Sequence, residues 1–247
     1  MSLIHSFISE KNLEILWRDD APATFDLAKI LSADINAVPK QNVSGGKGDV
    51  FLVNFRGNDY IVKRDNLQER QGMNGLFGRR STEFYLMRKL YEAEERGIDV
   101  PAPKYFLVAV SRDKNGKLVD SFSIQEFIRG TAVGKIPDYR KKYSAACAQA
   151  LATLHKIGIF HGEPRKGHFF VENGTRKIKL IDIYGKKATA RKRATDRMRF
   201  AEEFDEPAKI HDFGWFQLEC ALIWKRLVHA FFPHHSHRSK ARHARKQ

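Results

Sequence analysis

Two apolar runs, Val50–Phe55 and Tyr60–Lys63, are rich in β-branched and aromatic residues and are separated by the turn formers Gly57-Asn58-Asp59. They read as two strands of a hairpin. A glycine-rich turn, Ser44-Gly45-Gly46-Lys47-Gly48-Asp49, precedes them. The period then changes to that of a helix from about Ser81 to Arg96. Ser81 or Thr82 can cap its start, Gly97 stands where a left-handed cap belongs, and Pro101 blocks continuation. Phe106–Val110 and Phe122–Ile128 read as strands across a polar turn containing Asn115-Gly116. The first half is therefore mostly antiparallel strand with one helix.

The second half opens with a helix over about Tyr139 to Ile157. Tyr143, Ala146, Cys147, Ala150, Leu151 and Leu154 share one face, and Gly158 suits the C-terminal cap. A polar turn, His161 to His168, leads into a short strand Phe169–Val171. The turn Asn173-Gly174 then leads to a second strand, Ile178–Ile183, which carries Asp182. The rest reads as helical, with an amphipathic stretch from about Asp212 to Phe232. A core helix is the expectation there, with a helix lying on a membrane as the alternative. No internal repeat is visible.

Composition adds a class. The 247 residues are 42% hydrophobic and 30% charged, which fits a soluble globular protein. Two cysteines, Cys147 and Cys220, cannot make a disulfide scaffold. No apolar run approaches the roughly 18 residues of a membrane span. Met1 to Glu10 lack the pattern of a signal peptide, so secretion is not expected, and the Asn-x-Ser/Thr matches at Asn42 and Asn173 are read as chance.

The charge is one-sided. Residues 1–124 hold 18 basic and 17 acidic residues, whereas residues 125–247 hold 26 basic and 12 acidic. The second half should therefore meet something anionic: nucleic acid, an acidic membrane surface or a phosphorylated substrate, unless the charge is only a solvated face. The densest stretch runs from Lys186 to Arg199, with Asp196 its single acid. Beyond Pro233 the sequence is basic, lacks acids and is nearly free of apolar residues. It reads as a mobile basic tail rather than a metal site built on His234, His235 and His237. Nucleic acid is not the expected partner, because no RNP-like aromatic strand or zinc-finger spacing accompanies the charge.

Four elements fall in a meaningful order: the glycine-rich hairpin of Gly45, Gly46 and Gly48, Lys63 on the following strand, Glu83 in the next helix, and the polar turn at 161–168 followed by Asp182. Each alone is weak. The order matches protein-kinase-like phosphotransferases. Backbone N–H groups of the turn can lie over ATP phosphates, and Lys63 can reach them if Glu83 holds it. Asp182 offers the carboxylate oxygens that magnesium prefers. Glu163 can orient an acceptor hydroxyl and take its proton. Gln125 to Ile128 would form a hinge where backbone groups of Glu126 and Ile128 meet adenine. No G-x-x-x-x-G-K-[ST] run is present, so a P-loop is not supported.

The segment Gly162-Glu163-Pro164-Arg165-Lys166-Gly167-His168-Phe169, then Lys179-Leu180-Ile181-Asp182-Ile183-Tyr184-Gly185-Lys186, resembles the lipopolysaccharide core heptose(II) kinases of the RfaY/WaaY type. Ala190-Arg191-Lys192-Arg193-Ala194-Thr195-Asp196-Arg197 and His211-Asp212-Phe213-Gly214-Trp215 extend the resemblance. It is specific over about residues 150–230 and looser over 40–130. It implies an α+β, protein-kinase-like fold of two lobes. A β-rich N-lobe would span 1–124, a hinge 125–130, a small helical C-lobe 131–232 and the basic tail 233–247. It also implies ATP with magnesium or manganese, a lipopolysaccharide core acceptor, and a cytoplasmic protein peripheral on the anionic inner membrane. Arg165, Lys166, Lys186, Arg191, Lys192, Arg193 and Arg197 would then face the anionic acceptor or membrane.

Two positions depart from the family pattern. Glu163 stands where the family has its catalytic Asp, and His168 where it has the metal-binding Asn. Two readings therefore stay open: an active kinase that tolerates both changes, and a binding or regulatory protein that has lost transfer.

Overall fold

A computed structural model describes residues 2–8, 13–34, 37–43, 49–66, 82–114, 118–204 and 212–231. The first half builds a seven-stranded antiparallel sheet. Its strands are β1 (Leu3–Ile8), β2 (Leu13–Arg18), β3 (Lys40–Asn42), β4 (Asp49–Phe55), β5 (Asn58–Asn66), β6 (Tyr105–Arg112) and β7 (Leu118–Glu126), in the order β1-β2-β6-β7-β5-β4-β3. The hairpin anticipated at 50–63 is β4–β5, with Val50 opposite Lys63. The two N-terminal strands and helix α1 (Pro22–Ala33) were not anticipated.

Each face of this sheet is covered. Ile15, Val53, Val62, Leu107 and Ile124 pack under Leu27, Ala28 and Leu31 of α1. On the opposite face, Leu16, Val108 and Val110 meet Phe84, Leu86, Met87 and Leu90 of α2 (Thr82–Glu95). The end of α2 is capped as its sequence predicts. Gly97 has φ +70°, its N–H donates to the Glu94 carbonyl (2.8 Å), and the Ile98 N–H donates to that of Ala93 (3.0 Å). Arg18, 2% exposed, ties β2 to α2 by donating to Asp20 (2.9 Å) and Glu94 (2.7 Å).

After β7 the chain passes through 127–129 into the helical half. This half holds β8 (Gly130–Ala132), α3 (Tyr139–Lys156), β9 (Ile159–Phe160), β10 (Phe169–Glu172), β11 (Ile178–Leu180), β12 (Lys186–Lys187), α4 (Ala190–Phe204) and α5 (Phe213–Phe231). Strands β11-β10-β8 form one small sheet and β12-β9 another. Cys147, Ala150 and Leu151 of α3 pack with Phe169, Leu180, Phe200 and Phe204. Ala146, expected on the apolar face of α3, is exposed, and Ser144 is buried instead. Leu154, Ile157 and Ile159 join the α2 cluster, so one apolar core runs across the junction of the two halves.

Two expectations are corrected. The second strand ends at Leu180, so Asp182 lies beyond it, in a turn at φ +55°, rather than on a buried strand. The C-terminal helix is not a core helix along its length: Gly214 and Leu218 are buried, but Phe213, Phe216, Leu222, Ile223, Trp224 and Leu227 are exposed. Buried apolar area is what holds a helix in a core, and the outer part of α5 has little. Gly45, Gly46, Gly48, Ser81 and the segment 233–247 lie outside the described residues.

Candidate functional site

The site forms where β5, the turn after β9 and the turn after β11 converge. Lys63 projects from β5 and its ammonium pairs with the Asp182 carboxylate, 119 residues away. The Asp182 side chain is 50% exposed, and its partial burial alone would raise its pKa. The charge and hydrogen bond of Lys63, helped by His168 and His161, outweigh it and hold the carboxyl below its ordinary value. Among the described residues Lys63 makes no ion pair with Glu83, so the expected arrangement is replaced by Lys63–Asp182. Glu83 is nevertheless close: burial pushes the hydroxyl pKa of Tyr105 up, and the charges of Glu83 and Asp182 add to that shift. Gly185 brings the turn under the start of α2, where a Cβ would lie 2.8 Å from the Thr82 carbonyl oxygen and from Leu86.

The turn at 161–168 is fixed from beneath. Asp196 on α4, 0% exposed, accepts the Gly162 N–H at one oxygen (2.9 Å). Its other oxygen accepts the His161 N–H (2.9 Å) and meets His155 Nε2 (2.9 Å). Arg199, one turn on, donates to the Gly162 carbonyl. Both polar groups of the Gly162 backbone are thereby taken by one face of α4. Gly162 sits at φ +95°, and a Cβ there would come within 2.5 Å of the Tyr184 ring. Glycine is the residue that fits both demands.

Hydrogen bonds set the tautomers. The Glu163 N–H donates to His161 Nδ1 (3.3 Å), so neutral His161 carries its proton on Nε2. Burial pushes the His161 pKa down to about 4, with Asp196 opposing that shift and His168 adding to it. His168 Nδ1 faces the Glu163 carbonyl (2.7 Å), an acceptor, so Nδ1 carries the proton there. In the neutral ring Nε2 is then a lone pair, and it faces Asp182 Oδ2 at 3.9 Å. Two acceptors across that gap suit a cation, and one imidazole plus one carboxylate is a donor set that manganese accepts more readily than magnesium. The rings of His161 and His168 are near parallel with centroids 5.9 Å apart. Glu163 is partly exposed and its carboxylate pairs with Arg165.

The other expected residues scatter. The Glu126 N–H donates to the Lys104 carbonyl (2.9 Å), and Ile128 is buried at the connection between halves. Lys166 lies over the Tyr139 ring (5.6 Å). Lys192 covers the Phe160 ring (5.6 Å), and burial together with Lys186 and Arg191 lowers its pKa. Arg193 donates to the Ala188 carbonyl (3.1 Å) and Arg197 to Asp212 (2.8 Å), so these two join elements together. Lys186 and Arg191 are exposed. The turn clamps Asp196 and Arg199 and the ring of Tyr184 were not anticipated as site residues. A lone acid in a basic stretch was the sequence signal for Asp196.

The profile of the family described as "Lipopolysaccharide core biosynthesis protein (WaaY)" matches residues 42–234. The lipopolysaccharide core heptose(II) kinase WaaY of Escherichia coli strain K12 is 30% identical over 95 residues, 38% of this chain and 40% of that protein. A second Escherichia coli protein of the same name is 25% identical over 93 residues, again 40% of its length. The chain thus aligns with well under half the length of these relatives. A solved structure, WaaP in complex with acyl carrier protein, superposes with a TM-score of 0.52 at 15% identity over 78% of this chain and 90% of that one. That likeness carries the fold, an α+β protein-kinase-like architecture.

Proposed function

The chain belongs to the lipopolysaccharide core biosynthesis (WaaY) family, and we propose that it is an ATP-dependent kinase acting on a heptose hydroxyl of the lipopolysaccharide inner core. The observation that carries the reading is the convergence of Lys63, Asp182 and His168 from three chain segments onto one site, with Glu163 beside His168 through its backbone carbonyl. Lys63 and the glycine-rich segment around Gly45, Gly46 and Gly48 would hold the ATP phosphates, and the backbone of Glu126 and Ile128 the adenine. Asp182 and His168 would hold a divalent ion, which supplies charge neutralisation on the phosphates. Glu163 accepts the proton of the acceptor hydroxyl as the new O–P bond forms and the bond between the β- and γ-phosphates breaks, releasing ADP. Arg165 aims the Glu163 carboxylate. Lys166, Lys186, Arg191 and Lys192 attract the phosphorylated acceptor and the anionic inner-membrane surface, on the cytoplasmic side where ATP is present.

A binding-only reading draws on one observation: the Glu163 carboxylate is engaged by Arg165. Mass spectrometry separates the two. Purified protein is incubated with dephosphorylated core acceptor, ATP and magnesium or manganese, beside an Asp182→Ala control. A gain of one phosphate, absent in the control, is expected. No gain with ATP bound supports the binding-only reading, and no gain without nucleotide binding overturns the site.

A further inference from the structure

Helix α5 carries an apolar stripe that stays exposed among the described residues. Phe213, Phe216, Ile223, Trp224 and Leu227 are all exposed, Phe213 and Trp224 by 69% and 68%. Their spacing places them, with exposed Cys220, along one side of the helix. The opposite side supplies the buried anchors, Gly214 and Leu218. Gly214 lies so close to the Ala190 carbonyl that a Cβ would collide with it, so the start of α5 is seated on the start of α4. Asp212 fixes that end, accepting the Trp215 N–H (2.8 Å) and pairing with Arg197 (2.8 Å).

We infer that this stripe is the surface by which the protein lies on an anionic lipid bilayer, with α5 in the interfacial plane. Charge selects that occupant. Arg191 is exposed on the helix that seats α5, and Arg226 on α5 lies between its anchored side and the stripe, while the acid of α5, Glu219, accepts the Trp215 indole N–H. The sequence that follows adds Arg238, Lys240, Arg242, Arg245 and Lys246 with no acid. Apolar rings flanked by cations suit acidic headgroups over an acyl boundary. A second copy would bring the same positive charge to the same face, which opposes pairing. No described helix is long and apolar enough to cross a membrane, so α5 would rest on the surface rather than span it. The inference gives the proposed kinase its membrane-facing element, and lipid binding itself requires no phosphoryl transfer.

The test uses the full chain and vesicles of phosphatidylcholine with and without 30% phosphatidylglycerol, a composition chosen as roughly that of an anionic membrane. Trp17 is stacked on Phe25 and Trp215 donates to Glu219, whereas Trp224 is exposed. Anionic vesicles should therefore blue-shift the emission, and Trp224→Phe should remove most of the shift while keeping flotation. Ile223→Glu with Leu227→Glu should lower flotation at least about tenfold with unchanged circular dichroism. Asp182→Ala should float like the wild type, which separates this inference from the kinase reading. Equal flotation of the Glu variant, no blue shift, or a sedimenting dimer that loses its Trp224 exposure without lipid would each overturn the proposal.

Discussion

Lys63 and Asp182 form an ion pair that joins the sheet to the helical half across the site, and it keeps Asp182 ionised. Because the folded pKa is depressed, the stability this pair contributes is present above the ordinary aspartate range and is lost as pH falls through the folded value. Replacing Lys63 with Met removes the charge and leaves burial, which raises the pKa of Asp182. The acid limb of the kcat/KM profile should then move to higher pH, and the plateau should fall by about 10²-fold, the usual scale for loss of one charged stabilising group. A profile with an unmoved acid limb would show that Lys63 does not control Asp182.

Gly162 is held at φ +95° with the Tyr184 ring against its Cα. Gly162→Ala should cost about 1–3 kcal/mol in strain and overpacking and lower turnover by tenfold or more. Adding Tyr184→Ala relieves the collision but leaves the backbone strain. Thermal melts of the two variants should therefore show partial recovery in the double change. Full recovery would mean that the left-handed backbone costs nothing there.

Elements set by local signals were legible in the chain. The β4–β5 hairpin, the capped helix α2 and helix α3 follow from turn formers, a Schellman cap and an apolar face. The N-terminal strands lacked strong turn punctuation, and their place beside β6 depends on distant pairing that no local pattern encodes. At the site, sequence order brought Lys63, Glu163, His168 and Asp182 to notice. It could not tell that Lys63 would choose Asp182 over Glu83, because both are carboxylates and tertiary packing decides between them. For α5 the pattern left a core helix and a membrane-lying helix both open, since an amphipathic pattern does not say what lies opposite.

Asp196 accepts two backbone N–H groups and meets His155 while fully buried. In Asp196→Asn an NH2 group faces the His161 N–H or the Gly162 N–H, and one donor is left without an acceptor. The expected loss is about 3 kcal/mol, within the range for breaking a buried charged network. Urea unfolding should report it as a lower midpoint with an unchanged slope. Activity at permissive temperature should also fall, because the 161–168 turn loses its anchor. A midpoint within experimental error of the wild type would remove Asp196 from this role.

His161 gives the fold a pH dependence of known sign. Its pKa is near 4 when folded, against about 6.5 in an unfolded chain. Between those values the unfolded state binds the extra proton, so stability is complete above about pH 6.5 and declines as pH falls toward 4. The shift corresponds to roughly 3 kcal/mol at the acid end. His161→Phe keeps a ring between His168 and Phe169 and removes the titration. Its urea midpoint should change less between pH 7 and pH 4.5 than that of the wild type. Parallel curves for the two proteins would assign the acid loss to other groups.

In its neutral form His168 would face Asp182 Oδ2 with a nitrogen lone pair, because its other nitrogen lies against the Glu163 carbonyl. Imidazole binds manganese better than magnesium, while an amide oxygen suits magnesium. The ratio of manganese- to magnesium-supported turnover should therefore exceed one in the wild type and fall by about tenfold in His168→Asn, in line with the effect of changing one metal-site contact. Direct titration of the protein with each ion in the presence of a non-hydrolysable ATP analogue gives the same comparison without turnover. If His168→Asn leaves both ratios where they were, the Nε2 lone pair is not a metal ligand.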